Sequence, residues 1–415
     1  VKEGFFVKGE QPNLVKMIQG HPELILDHMS RSGFELYGPE GTKEWLESVK
    51  ADFQALPDQS EEKSKALANY PTFEQITKRL FALQEKYPEI MQVFSIGKSV
   101  QGRDLWMVKI SDNVATDEVE PEFKYISSMH GDEITGRELT QFWIKDLVEG
   151  YGKNSEITDL INNTEIYIMP SMNPDGSKRR VRGNGNWVDL NRNFPDWTVD
   201  EANSAQGREP ETKAVMDFQA QRQFSLSANF HGGAVVVNYP WDSTYERHQF
   251  DHLIKNFSLD YADLNPGMRN SSEFQDGVTN GADWYKVVGG MQDWSYVWHN
   301  DLQVTIELSD KKWPNYRDIP DFYKDNKDSM FVFAKAIHQG AGFSLSDKSA
   351  EGKVSISKME NGSMKDLGSY GFRGGEFYKV LEEGVYTFAV SANGATQSFE
   401  IEVSKNKISS NGNYK

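Results

Sequence analysis

Between residues 72 and 337 short apolar runs alternate with stretches of helical periodicity, and this alternation restricts the fold more than any other feature of the chain. Thr72 and Gln75 form a capping box ahead of Phe73, Ile76, Leu80, Phe81 and Leu83 at helical spacing. Strand-like runs follow at 91–96, 105–110, 123–128, 164–169, 224–230, 235–239 and 302–308. Helical patterns fall at 139–147, 212–222 and 321–337. Strands that alternate with helices build a largely parallel sheet covered on both faces. The fold class predicted for residues 70–343 is therefore α/β: a mixed, largely parallel, doubly wound sheet.

In such sheets, sites form beyond the carboxyl ends of the strands. His130, Asn173, His231 and Glu307 each stand at or near the end of an apolar run, so the fold can bring them together from distant parts of the chain. His130 and Glu133 are three residues apart where a strand gives way to a helix, the spacing of a zinc half-site. Taken alone, the pair also fits a solvated helix N-terminus with Glu133 favoured by the dipole.

Composition narrows the chemistry. The 415-residue chain contains no cysteine, which removes disulfides, thiolate metal sites and Cys nucleophiles and leaves His and carboxylates as zinc ligands. A net charge of -17 excludes nucleic acid as an expected partner and disfavours an anionic membrane, while attracting cationic ligands. No apolar run is long enough to span a bilayer. The first residue is Val, and we expect a trimmed N-terminus, a signal peptide already removed, and a secreted or periplasmic protein. A monomer is expected.

The flanks differ in texture. Residues 1–69 form an N-terminal extension with a helical pattern at 13–28, a short apolar run at 34–37 and a second helical pattern at 45–53, followed by a charge-rich linker at 58–65. The favoured reading is a structural extension wrapping the next domain; the alternative is a pro-segment or docking piece. Residues 344–405 alternate with period two at 352–357, 377–381, 385–390 and 398–403, with no helix between, which predicts a small antiparallel β-sandwich. The polar tail, 406–415, is expected to be disordered.

Several motifs belong together. The order His130-x-x-Glu133, Arg182, Asn191-Arg192, His231, Tyr285 and Glu307 resembles the zinc metallocarboxypeptidases (family M14). Asn-Pro-Asp-Gly (173–176), Asp-Leu-Asn-Arg-Asn-Phe-Pro (189–195), Asn-Phe-His-Gly-Gly with Val-Val-Asn-Tyr-Pro (229–240), Gly-Gly-Met-Gln-Asp-Trp (289–294) and Thr-Ile-Glu-Leu-Ser (305–309) look most like the regulatory branch, that of carboxypeptidases D, E, M and N. The resemblance covers roughly 70–340. It extends to the terminal β-sandwich, which is similar to that branch's transthyretin-like domain and looks shorter.

The resemblance implies one Zn2+ per chain on His130, Glu133 and His231, with Asp189 as the carboxylate that orients His130. It implies Glu307 as general base for a zinc-activated water and Arg182, rather than its neighbours Arg179 and Arg180, as the oxyanion donor. Asn191 and Arg192 would hold the substrate's terminal carboxylate, and Tyr285 would cap the last residue, with Tyr296 left to core packing. Asp242 and Gln292 would line the specificity pocket, Asp242 giving preference for peptides ending in Lys or Arg. Two alternatives accompany this expectation: a bacterial cell-wall peptidase acting at diaminopimelate, and a catalytically silent binding relative.

Overall fold

The computed structural model describes residues 1–56, 70–412 and 414. The linker expected at 58–65 lies outside them. Eight strands form the central sheet: β5 (Met91–Lys98), β6 (Asp104–Ile110), β7 (Glu122–Ser127), β8 (Glu165–Met169), β9 (Phe224–His231), β10 (Ala234–Tyr239), β11 (Val278–Asn280) and β12 (Leu302–Ser309). Their order is β11-β10-β12-β9-β7-β8-β6-β5. The centre, β12-β9-β7-β8, is parallel, as is β10-β11; β10 runs antiparallel to β12, and β5 and β6 close the far edge antiparallel. The sheet is thus mixed, with a parallel core, as its alternation with helices requires.

Both faces are covered because the strands alternate. On β6, Val108 and Ile110 join one apolar cluster and Leu105 and Met107 the other. The first cluster takes in helices Thr135–Gly150, Asp251–Asp263 and Ile319–Lys335, and the second takes in Pro210–Ala220 and Met291–His299. Tyr125 anchors the first face: its ring lies 4.7 Å from Phe230 and 5.1 Å from Trp143, and its hydroxyl donates to the Met330 carbonyl at 2.8 Å. Thr72 caps helix Phe73–Lys86 through the reciprocal pair with Gln75. Among the described residues no helix is long and apolar enough to cross a membrane.

The flanks correct parts of the sequence-based expectation. Residues 13–28 are not one helix: a helix over Pro12–Ile18 gives way to β2 (Ile25–Ser30). With β1 (Glu3–Lys8), β3 (Gly33–Gly38) and β4 (Phe53–Ala55) it forms an antiparallel sheet in the order β2-β3-β1-β4. The pattern at 45–53 likewise resolves into helix Thr42–Ser48 and then β4. Phe5, Val7, Leu14, Ile18, Phe34, Leu36 and Leu46 form an apolar cluster belonging to this N-terminal module alone. Short apolar runs fit either period, and here cross-strand pairing decides between them.

At the other end β14 (Gly352–Glu360), β15 (Ser363–Phe372), β17 (Gly384–Ala392) and β18 (Ala395–Val403) make an antiparallel sheet, order β15-β14-β17-β18. It faces a second sheet of β16 (Glu376–Val380), β13 (Gly340–Ser344) and β19 (Ile408–Gly412). The tail expected to be disordered therefore contributes a strand, which pairs parallel to β13 and satisfies backbone groups that β13 would otherwise leave unpaired. β13 lies across the expected boundary at 343 and ties the sandwich to the segment after the last long helix.

Two buried histidines and a half-buried one make stability pH-dependent. Burial, reinforced by nearby lysines, pushes His248 down to about 3 and His299 and His338 down to about 4. An unfolded His, near 6.5, binds a proton in this window and the folded one does not, so each contributes stability that is complete above 6.5 and is lost as pH falls towards 4. The variant His338→Gln should therefore gain on the wild type by about 2–3 kcal/mol between pH 6.5 and 4. Urea unfolding of the two proteins across that range is the measurement.

Candidate active site

The polar groups at the strand ends converge. After β7 the chain turns sharply out of the sheet at Ser128, whose φ is +52°, and its Oγ donates to the Glu133 carbonyl at 3.1 Å. Gly131 sits against the Gly176 backbone so closely that a Cβ would overlap it, which explains glycine after His130. Asn173, after β8, caps helix Pro174–Arg179 and donates from its amide to the Met129 and Arg182 carbonyls, both at 3.2 Å. One side chain thus ties together the loops that carry His130 and Arg182.

His130, Glu133 and His231 are all buried, and one ligand atom from each falls within a 4.8 Å group. Glu133 Oε1 lies 2.9 Å from His130 Nδ1, Glu133 Oε2 lies 2.8 Å from His231 Nδ1, and the two Nδ1 atoms are 3.1 Å apart. His130 Nε2 is 2.9 Å from Asp189 Oδ1. With that nitrogen donating to Asp189, a neutral His130 turns its Nδ1 lone pair toward the Glu133 carboxylate, an arrangement that needs either a proton or a metal cation between them. Two imidazoles and a carboxylate are also a donor set of catalytic zinc sites. Burial opposes ionisation of Glu133, but the two imidazoles overcome it and hold the carboxyl well below its usual range.

Asp189 is held low in the same way, by Arg182 and His130 against its burial. Arg182 donates from Nε to Asp189 Oδ2 at 2.8 Å, and its Nη1 lies 3.6 Å from Glu133 Oε1. Its two competitors point elsewhere: Arg179 bonds the Asn184 carbonyl, and Arg180 lies over the Trp313 ring at 4.5 Å. Glu307 on β12 is paired in register with His231 on β9, so the parallel ladder sets them side by side. Among the described residues Glu307 Oε2 is buried without a hydrogen-bond partner.

Beyond this centre lies a pocket floored by Asp242. Gln292 donates to Asp242 Oδ1 at 3.0 Å and Asn238 donates to it at 3.2 Å. A Cβ on Gly281 would overlap the same oxygen, so only glycine fits there. Burial first, then the neighbouring Asp293, pushes the Asp242 carboxyl well above its usual range, and Asp293 itself rises to about 6. Asn191 Oδ1 accepts from the Met291 amide at 3.1 Å, and Arg192 and Tyr285 border the same cavity. Tyr296 lies apart, its ring 4.2 Å from His248 and 5.8 Å from Trp241.

The zinc carboxypeptidase family model matches residues 76–329, the stretch that carries this whole constellation. The chain belongs to the zinc carboxypeptidase family. It is similar to human carboxypeptidase D, 39% identical over 356 residues, covering 79% of this chain and 25% of that protein. Mouse carboxypeptidase M is 37% identical over 341 residues, covering 76% of each. The chain therefore spans about a quarter of the length of carboxypeptidase D. In fold it is similar to carboxypeptidase A from Helicoverpa armigera, with a TM-score of 0.66 and 21% identity, covering 80% of this chain and 96% of that one. Family and fold are those expected from the motifs.

The structure also adds residues to this family site that sequence analysis passes over. Asp293 accepts from the Asp242 and Ser243 amides, at 3.0 and 2.9 Å, and from the Ser243 hydroxyl at 2.7 Å, and so fixes the pocket floor. Its signal was the motif that contains Gln292, one position earlier. Lys312, buried with its Nζ 3.7 Å from Glu133 Oε1, had no local signal at all. Neither had Asp27 and His28, which enter the cavity from the N-terminal module.

Proposed function

We propose that the chain is a zinc-dependent exopeptidase that hydrolyses the C-terminal peptide bond of its substrate and prefers Lys or Arg as the residue released. The observation that carries this reading is the convergence of His130, Glu133 and His231 beside Glu307, with a buried carboxylate, Asp242, at the foot of the adjoining pocket. His130, Glu133 and His231 would hold one zinc ion per chain. When bound, zinc polarises a carbonyl oxygen and makes a water acidic enough to attack near neutral pH.

The remaining work falls to the chain's own side chains. Glu307 takes a proton from the attacking water and passes it to the leaving amine. Arg182, fixed by Asp189, donates to the carbonyl oxygen as charge develops on it. Arg192 and Asn191 clamp the terminal carboxylate, the guanidinium in a fork and the amide as a further donor. Tyr285 closes over the last residue. Asp242, oriented by Gln292 and Asn238, pairs with a terminal Lys or Arg and repels a terminal Glu.

A peptide panel that varies only the last residue among Arg, Lys, Phe, Glu and diaminopimelate tests this, with zinc content measured on the same protein. Release of Arg and Lys at least tenfold ahead of Phe and Glu is expected. Faster release of Phe or Glu overturns the role of Asp242, and preference for diaminopimelate moves the substrate to cell-wall peptides. Zinc bound without turnover of any peptide, in the intact chain and in an Asp27→Ala/His28→Ala variant that clears the two N-terminal side chains from the cavity, overturns the activity itself.

A further inference from the structure

Lys379, on β16 of the C-terminal sandwich, enters the catalytic domain as a buried cation. It is 2% exposed, although lysine is almost never fully buried unless paired. Its Nζ lies over three aromatic rings, 4.6 Å from Phe250, 4.8 Å from Tyr296 and 4.3 Å from Tyr370. It donates to the Tyr296 hydroxyl at 3.3 Å and to Asn300 Oδ1, and among the described residues no carboxylate pairs with it. Burial pushes the ammonium down from the usual lysine range, while three ring faces and an amide oxygen favour the charged form.

This cage is built on the helix that orients the pocket floor. Gln292, Tyr296 and Asn300 are spaced four residues apart along helix Met291–His299 and its C-cap, so they follow one face. In the first turn, Gln292 bonds the Asp242 carboxylate and Asp293 accepts from the Asp242 amide. At the other end, Tyr296 and Asn300 bond Lys379. Asn300, with φ +57°, closes the helix by donating its backbone amide to the Tyr296 carbonyl at 2.9 Å. A cation here and Asp293 in the first turn both complement the helix dipole. A second route runs through rings: Tyr296 lies 4.2 Å from His248, and His248 lies 4.5 Å from Trp241, the residue before Asp242.

We propose that Lys379 is a positioning residue for substrate specificity: through it the sandwich fixes helix Met291–His299 from its C-terminal end, and with the helix the placement of Gln292, Asp293 and Asp242 in the pocket. The inference rests on the pocket function proposed above. An uncharged side chain of similar length would fill the cage without the desolvation cost, and such replacements of buried charges are often neutral or stabilising. What the ammonium adds is direction, because it bonds two particular oxygens on one helix. Tyr296 therefore does more than pack the core, and the sandwich takes part in reading the last residue of the peptide.

The test uses the full chain with two variants. Lys379→Met keeps the stem and removes the charge. Asn300→Gly removes the amide oxygen at a position whose left-handed backbone suits glycine, so it folds even where the first does not. In the Asp27→Ala/His28→Ala background each is expected to raise KM for a peptide ending in Arg about five- to tenfold, with kcat and the KM for a peptide ending in Phe within about twofold and no fall in melting temperature. Adding Asp242→Asn abolishes the difference, since the effect passes through that carboxylate. With fluorotryptophan in place of the ten tryptophans, the fluorine resonance of Trp241, assigned by Trp241→Phe, shifts or broadens in both variants without substrate. An unmoved Trp241 resonance in both, or equal losses on Arg and Phe peptides, overturns the proposal. A moved resonance in a protein that shows no preference for Arg over Phe, with or without Asp242→Asn, leaves Lys379 holding the helix and overturns the pocket reading instead.

Discussion

Glu307→Gln is expected to lower kcat for release of a terminal Arg by about a thousandfold while KM and bound zinc stay close to wild type. The substitution keeps the size of the side chain and its place opposite His231 in the ladder, and it removes only the capacity to accept a proton. General-base catalysis contributes about 100- to 10,000-fold. A loss confined to kcat identifies an interaction made only in the transition state. The comparison is made in the Asp27→Ala/His28→Ala background as well, because His28 is a neighbour of Glu307 and could mask the effect in the intact chain. Retained turnover in both backgrounds would move the base elsewhere.

Asp242→Asn should lower kcat/KM for peptides ending in Arg or Lys by about 10- to 100-fold, the worth of one charge-assisted hydrogen bond, and leave a terminal Phe nearly untouched. The buried position excludes a water-screened contact, so the loss is larger than a surface ion pair would give. The same pocket predicts a pH dependence. Asp242 is pushed up by burial and by Asp293, which itself stands at about 6. Binding a cationic side chain requires the ionised form. KM for Arg peptides therefore falls as pH rises through the titration of this pair, and the trend is absent for Phe peptides and in Asp242→Asn. Steady-state kinetics with both peptides across pH 5 to 8 distinguishes the pocket from a general effect on turnover. A KM that is flat for Arg peptides would remove Asp242 from the pocket's chemistry.

The parts of the site that lie at strand ends were legible because strand ends are marked in sequence. An apolar run stops, a polar residue follows, and the doubly wound topology gathers such residues at one edge of the sheet. His130, His231 and Glu307 were expected at strand ends in this way, and the family resemblance then favoured Arg182 over Arg179 and Arg180. Asp293 was harder, because it acts through the backbone amides of Asp242 and Ser243, and such contacts leave no pattern along the chain. The N-terminal residues were misassigned where an apolar pattern suited two periods: 13–28 reads as one helix, but Ile25–Ser30 is a strand because β3 offers it a partner.

By itself the sequence determined the doubly wound sheet and the family, since periodicity sets the first and motifs at fixed local spacing carry the second. Only the tertiary structure decided what stands in the cavity. Asp27 and Arg182 are 155 residues apart, and Asp27 and Tyr285 are 258 apart. Their meeting depends on how one folded module docks on another, through contacts that are buried and paired but carry no periodicity. Surface complementarity of that kind is written in three dimensions, and a chain read in order does not display it.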